Sequence, residues 1–296
     1  MTSHAFTEVR SKQLENKTSL QTSKSNPTFT LHTLYNNDTY TMLHDVSRHP
    51  DLHTYMHRTR LIMSQSYKYL YIHGFASSPN STKAVVLKQY MKQNNIDLHT
   101  PDCNIPSFDK LSINSITQQF ECEIRNTPVQ YRLIGSSLGG LIAVILANKL
   151  TNKHIESVIL LCPAFNALAR WTDRMSSNDI DKWKSAGTRN YYNYATNSEQ
   201  PLHYSFYDEL HTISDYPLVD CPVYIVHGTE DDVVPLLASH IYIDKLTQHR
   251  TQQQQSVNDI QLITVQDDHA LGKADTIEHI KQLVNDKWLS NARTPH

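Results

Sequence analysis

Gly135-Ser136-Ser137-Leu138-Gly139-Gly140 is the stretch on which the reading of this chain turns. It has the form G-x-S-x-G with one further glycine. A run ending in apolar residues, Val129 to Ile134, precedes it, and the apolar run Leu141 to Leu150 follows. Strand, very tight turn, helix is the context in which this pattern makes a nucleophile elbow, which strains the serine backbone and aims its hydroxyl out of the sheet edge. Glycines are needed on either side because a Cβ there would collide with the neighbouring strand or helix. Ser137 is therefore the candidate nucleophile. The bland alternative is accident, since the pattern is loose. Glycine scarcity counts against accident: the chain has 7 glycines in 296 residues, where average usage gives about 20. Those at 74, 135, 139, 140 and 228 fall in three short stretches at expected strand ends.

The length suits one large α/β domain or two small ones. The net charge of −2, with no basic stripe, makes nucleic acid and anionic membrane poor partners. Four cysteines (103, 122, 162, 221) lack C-x-x-C spacing and the 17 histidines contain no H-E-x-x-H, so neither a zinc site nor a disulfide framework is expected. Buried or idle thiols in the reducing cytoplasm are the plainer reading. The longest strongly apolar run, Leu141 to Ala147, is too short to span a bilayer. No cofactor motif is present.

Residues 1–27 are rich in Ser, Thr, Lys, Gln and Asn and read as disordered, without a secretory signal. Residues 28–66 form an extension of ambiguous structure. Thr28 to Tyr35 and Tyr40 to Leu43 suggest a weak hairpin around Asn36-Asn37-Asp38, and Pro50 to Ile62 a short helix. Met63 is a conceivable second start.

From Tyr67 to about residue 290 strands and helices alternate. Strands are expected at Tyr67–Ile72, around Leu98, from Val129 to the elbow, and at Ser157–Leu161, Pro222–Val226 and Ile260–Val265. Helices are expected over Ser81–Gln93, Asp109–Arg125, after Ser137, and over about Asp275–Trp288. Repeated β-then-α units indicate a mostly parallel, doubly wound sheet covered on both faces. The stretch 166–221 breaks the rhythm and is too long for an ordinary connection. It reads as a small, mainly helical insertion folding over the strand ends as a cap. Its aromatics, Trp171, Trp183 and Tyr191, 192, 194, 204, 207 and 216, either line a partly apolar pocket or make the insertion's own core.

A serine hydroxyl needs a base to take its proton, an acid to orient that base, and donors for the oxyanion that develops. The base candidate is His269, in the loop after the last strand; His73 and His227 each precede a glycine directly and read as structural. The acid lies in His227-Gly228-Thr229-Glu230-Asp231-Asp232-Val233-Val234-Pro235. Asp231 fits H-G-x-x-D-x-x-V-P, Asp232 is the runner-up, and Glu230 is expected to face water. The order Ser137, Asp231, His269 is the Ser…Asp…His order of α/β-hydrolases. The oxyanion donors are the backbone N–H of Leu138 and that of Phe75, with Ala76 as the alternative to Phe75.

Tyr71-Ile72-His73-Gly74-Phe75-Ala76-Ser77-Ser78-Pro79 with Ser81 and Lys83-Ala84, followed by Gly135 to Gly140, resembles the small bacterial esterases of the YqiA/YcfP type. Pro201-Leu202 with Tyr204 and Phe206, the His227–Pro235 stretch, and Asp268-His269 with Leu271 extend the likeness over about residues 67 to 290. The resemblance implies an α/β-hydrolase fold, serine-dependent hydrolysis of short acyl esters, and Ser137, Asp231 and His269 as the triad. Asp267 departs from that picture as an extra carboxylate beside the base. Motifs do not separate an esterase from a thioesterase or acyltransferase on the same scaffold. A non-catalytic binding protein on this fold would carry a damaged triad, and here the triad reads as intact.

Overall fold

The computed structural model describes residues 67–290 and, upstream, the backbone of three strands. The chain divides into two compact units, residues 1–63 and 64–296. In the first, β1 (Asn16–Ser19), β2 (Thr30–Asn36) and β3 (Thr39–Met42) form an antiparallel sheet in that order. β2 and β3 are the hairpin expected there, with Tyr35 opposite Tyr40. β1 lies within 1–27 and pairs with β2, Thr18 opposite Leu31. The rest of 1–27, the helix expected over 50–62 and Met63 lie outside the described residues.

The second unit runs β4 (Lys68–Ile72), α1 (Thr82–Gln93), β5 (Leu98–His99), α2 (Ile113–Arg125), β6 (Tyr131–Ser136), α3 (Leu138–His154) and β7 (Ile155–Leu161). An insertion follows, consisting of α4 (Ala167–Asp173), α5 (Ser177–Ala186), the antiparallel hairpin β8 (Thr188–Asn193) and β9 (Ser198–His203), and α6 (Ser205–Leu210). The unit closes with β10 (Val223–Gly228), α7 (Leu236–Gln252), β11 (Ile260–Val265) and α8 (Ala274–Val284), whose end continues into a π-helical turn, Asn285–Leu289.

Six strands form one sheet in the order β11-β10-β7-β6-β4-β5, every pairing parallel. Side chains alternate across it with period two. Leu70, Ile72, Leu133, Val158, Leu160, Val223 and Ile225 join the apolar core shared with α2, α3, α7 and the insertion. Tyr71, Ile134, Ile159, Leu161 and Val226 enter the core on α1 and α8. Both faces are buried, which is why these strands read as near-continuous apolar runs. The α3 segment from Leu138 to Leu150 is buried along most of its length, as its all-round apolar sequence requires.

Three features differ from the expected plan. The insertion holds a β-hairpin beside its three helices, and α7 lies where no element is expected. Helix α2 begins at Ile113 rather than Asp109, because the chain supplies a cap there. Ser112 Oγ accepts the Ser115 N–H (3.1 Å), and Glu209 of α6 accepts the N–H groups of Ile113 (3.1 Å) and Asn114 (2.6 Å). A carboxylate at a helix N-terminus is favourable, so the same contact fastens the insertion to the sheet layer. No helix among the described residues is long and apolar enough to cross a membrane.

Candidate active site

Ser137 stands between β6 and α3 with φ 53 and ψ −117, a strained conformation for a residue with a Cβ. Backbone hydrogen bonds on both its sides hold it there. Its N–H donates to Leu161 O of β7 (2.9 Å), and its carbonyl accepts from Gly140 (2.8 Å) and Ala164 (3.0 Å). The loop after β4 lies against this turn so closely that a Cβ on Gly74 would stand 3.2 Å from both Ser136 O and Ser137 Cβ.

The three residues singled out from sequence converge. Ser137 Oγ lies 2.9 Å from His269 Nε2, and His269 Nδ1 lies 2.7 Å from Asp231 Oδ2. A carboxylate only accepts, so Nδ1 carries the ring proton and the Nε2 lone pair receives the Ser137 hydroxyl. Asp232 and Glu230 are exposed and take no part in this chain of bonds.

The Asp231 side chain is fully buried and saturated with donors. Oδ1 accepts the N–H groups of Val233 (2.9 Å) and Val234 (2.8 Å), and Oδ2 also lies 3.3 Å from His227 Nε2. Burial alone would raise its pKa. The hydrogen bonds from His227 and His269, the charge His269 can bear and the Val234 N–H outweigh it and hold the carboxyl well below the usual range. His227 is itself fixed: its Nε2 proton is shared between Val234 O (2.9 Å) and Asp231 Oδ2, leaving Nδ1 to accept from Ser239 Oγ (2.8 Å). His73 is likewise committed, donating through Nδ1 to Gly74 O (2.9 Å) and accepting the Cys103 N–H at Nε2 (2.9 Å).

Among the described residues, the backbone N–H groups of Leu138, Phe75 and Ala76 have no acceptor. Ala76 sits at φ 53 and gives its carbonyl to the Tyr194 N–H of the insertion (3.0 Å). The Phe75 ring packs against Trp171, Tyr191, Phe206 and Phe108, with centroids 5.2 to 5.8 Å away. Trp183 and Phe206 are buried in the same cluster, so these aromatics form the insertion's core; Tyr192 and Tyr194, stacked edge to face, stay exposed. On the opposite side, Arg174 donates to the carbonyls of Asp232 (2.9 Å) and Val233 (2.8 Å). The insertion thus touches both the loop carrying Phe75 and the loop carrying Asp231.

A model of the uncharacterised protein family UPF0227 matches residues 68–287. The chain belongs to that family. UPF0227 is the YqiA family, in agreement with the likeness carried by the Tyr71–Pro79 and Gly135–Gly140 motifs. The matched range of this UPF0227 chain holds the whole Ser137–His269–Asp231 chain of bonds and the insertion. No curated protein matches it by sequence. Among solved structures it is similar to the alpha/beta hydrolase domain-containing protein 10 from mouse, at 18% identity and TM-score 0.57, over 92% of this chain and 97% of that one. It is similar to Est1E from Butyrivibrio proteoclasticus, solved with ferulic acid bound, at 16% identity and TM-score 0.59, over 78% and 91% of the two chains. A monoacylglycerol lipase from Paleococcus ferrophilus aligns at 15% identity and TM-score 0.57, over 76% and 97%. At these identities the likeness establishes the fold, that of the α/β hydrolases.

Sequence reasoning missed the part that Lys83 and Cys162 play around the site of this UPF0227 chain, and named Asp267 only as an extra carboxylate beside the base. Lys83, in the first turn of α1, donates from Nζ to Ala270 O (2.5 Å), beside His269. Burial pushes its pKa down, opposed by Cys162, Asp231, Asp267 and Asp268 around it. Asp267 shapes the same loop: Oδ1 accepts the Asp268 N–H (2.8 Å) and Oδ2 the Lys273 N–H (2.9 Å). Cys162, expected to be a buried or idle thiol, is buried at the end of β7. A sulfur, a carboxylate oxygen and an imidazole nitrogen from Cys162, Asp231 and His269 all lie within 4.8 Å of one another, a grouping able to hold a metal ion.

Proposed function

We propose that this chain is a serine hydrolase that cleaves short-chain carboxylic esters through an acyl-enzyme on Ser137. The observation that carries the reading is the unbroken chain of hydrogen bonds Ser137 Oγ, His269, Asp231, at 2.9 and 2.7 Å. In this scheme Ser137 attacks the ester carbonyl as His269 Nε2 takes its proton. The imidazolium is stabilised by Asp231, whose carboxyl stays ionised, and then protonates the leaving alcohol. Water repeats the sequence to free the acid. The uncommitted N–H groups of Leu138 and Phe75 receive the oxyanion, each of such donors contributing roughly 3 kcal/mol to lowering the barrier in other serine hydrolases. No cofactor enters the scheme.

A small acyl group is favoured by the packing above the second donor. The Phe75 ring is closed in by Phe108, Trp171, Tyr191 and Phe206, so the space over it is taken up by the protein's own side chains. The four cysteines stand as free thiols, which suits a cytoplasmic enzyme.

Covalent labelling by a fluorophosphonate tests the nucleophile directly. The wild type is expected to be labelled and Ser137→Ala not; a folded wild type that resists the probe overturns the reading. A series of p-nitrophenyl esters of increasing acyl length is expected to show kcat/KM falling as the chain lengthens. A parallel series of thioesters and added alcohols distinguishes hydrolysis of oxygen esters from thioesterase or acyl-transfer activity.

A further inference from the structure

We propose that Cys162, Asp231 and His269 form an inhibitory site for a thiolate-seeking divalent cation such as Zn²⁺, whose occupation turns the hydrolase off. The three side chains come from the carboxyl ends of neighbouring strands: Cys162 follows β7, Asp231 follows β10 and His269 follows β11. Their ligand atoms lie within 4.8 Å of one another. Zinc binds sulfur at about 2.3 Å and nitrogen or oxygen at about 2.0–2.2 Å, which in a tetrahedral site sets ligands roughly 3–4 Å apart. Closing onto a cation therefore takes a shift of about 1 Å, together with a widening of the Nδ1–Oδ2 pair from 2.7 Å. The thiol is buried at 0% exposure, but the His269 side chain is 20% exposed and opens the way from solvent. That opening leaves the fourth position to water.

In the metal-free site the buried thiol hydrogen-bonds to the Asp231 carboxylate, a contact that a cation would replace, and it has no part in the proton transfer between Ser137 and His269. Thiolate with imidazole and carboxylate is a donor set that selects zinc or cadmium over magnesium or calcium. Inhibition follows from the ring's tautomer. In the active arrangement Nδ1 carries the proton and Nε2 offers its lone pair to Ser137. A cation on Nδ1 uses that nitrogen's lone pair, so the ring's single proton moves to Nε2, which then cannot accept from Ser137. The thiol proton goes to solvent as the sulfur–metal bond forms, the carboxylate joins as the anion it already is, and nothing is oxidised or reduced. Metal binding is independent of the hydrolase reading above; the loss of activity rests on it.

The experiment uses the full chain carrying Cys122→Ser, which removes the exposed thiol, with and without Cys162→Ala. Titration with Cd²⁺ is expected to raise the ultraviolet thiolate-to-cadmium charge-transfer band to one equivalent, and Cys162→Ala to abolish it. Fluorophosphonate labelling of Ser137 is expected to slow at least tenfold with Zn²⁺, to recover with EDTA, and to ignore Mg²⁺. In Cys162→Ala, labelling is expected to proceed at one rate with or without Zn²⁺. Should that variant fail to fold, Cys162→Ser replaces it, since a hydroxyl is a poor ligand for these cations. Zinc sensitivity that survives the loss of Cys162, or a cadmium band that does not depend on it, overturns the proposal. A metal-free protein that takes no label overturns the hydrolase reading instead, while the cadmium band still decides whether the site binds.

Discussion

Gly139 packs beneath β4 so closely that a Cβ on it would stand 2.0 Å from the Ile72 carbonyl oxygen. The same methyl group would lie 2.7 Å from His73 O. Both obstacles are backbone, just where β4 hands over to the loop carrying Phe75. The contact therefore ties the Ser137 turn to the proposed second oxyanion donor.

Gly139→Ala is expected to separate them. Overpacking against backbone costs about 3 kcal/mol when neighbours cannot yield. For a unit of this size that lowers Tm by roughly 6–12 °C. Calorimetry checks the stability and ester hydrolysis the activity. A variant with wild-type Tm and wild-type turnover would show that the turn has slack.

Single substitutions within the bonded chain are expected to be severe and non-additive. Ser137→Ala and His269→Ala should each lower kcat on the order of 10⁴-fold, and the double variant hardly further, because the two act as one unit. Asp231→Asn should also cost about 10⁴-fold, since an amide at Oδ2 turns the imidazole to the wrong tautomer. Asp232→Asn, on an exposed side chain, is expected to stay within about twofold, surface changes of this kind being nearly neutral. Equal losses at 231 and 232 would refute the assignment of the acid.

Much of this arrangement was legible because the signals are local. The apolar strand runs, the glycines at their ends and the order Ser137, Asp231, His269 all lie in short stretches that periodicity and motif can reach. The parts that were not legible depend on distant pairings. Lys83 meets Ala270 across 187 positions, and Glu209 caps a helix that begins 96 residues earlier. Cys162 meets Asp231 only because β7 and β10 are neighbours in the sheet while the insertion separates them in the chain. Helix α7 was passed over because its buried side is thin, Ala238, Ser239, Tyr242, Leu246 and Arg250, amid glutamines and histidines. The β8–β9 hairpin escaped because the less exposed face of β8 carries Arg189, Tyr191 and Asn193 rather than an apolar row.

Lys83 is expected to act through the His269 loop rather than on substrate. Its Nζ holds the Ala270 carbonyl at 2.5 Å, one residue beyond the proposed base. Lys83→Met removes the donor and keeps the apolar stem. The expected result is a fall in kcat of about tenfold with KM little changed, since a small displacement of a base is costly to chemistry and not to binding. Lys83→Arg should restore part of the loss, as it keeps both charge and donor. If KM rises while kcat holds, Lys83 touches substrate and the positioning role is wrong.

Asp267 offers a pH test in which stability, not turnover, is read. Burial pushes its carboxyl pKa up, but the Thr276 hydroxyl and the N–H groups of Lys273 and Asp268 outweigh that and hold it below the ordinary value. A carboxyl depressed on folding contributes stability that is fully present above its unfolded pKa, about 3.9, and is lost as pH falls through the lower folded value. Asp267→Asn lacks that contribution and turns an N–H group towards donors that need an acceptor. The variant is therefore expected to be less stable by about 1.5–3 kcal/mol at neutral pH, the range for hydrogen bonds to a charged group. Thermal unfolding from pH 7 to pH 3 should show the gap constant down to about pH 5 and narrowing below about pH 4. A gap that widens on acidification would mean that the ionised carboxylate does not stabilise the loop, leaving Asp267 a carboxylate the fold tolerates rather than uses.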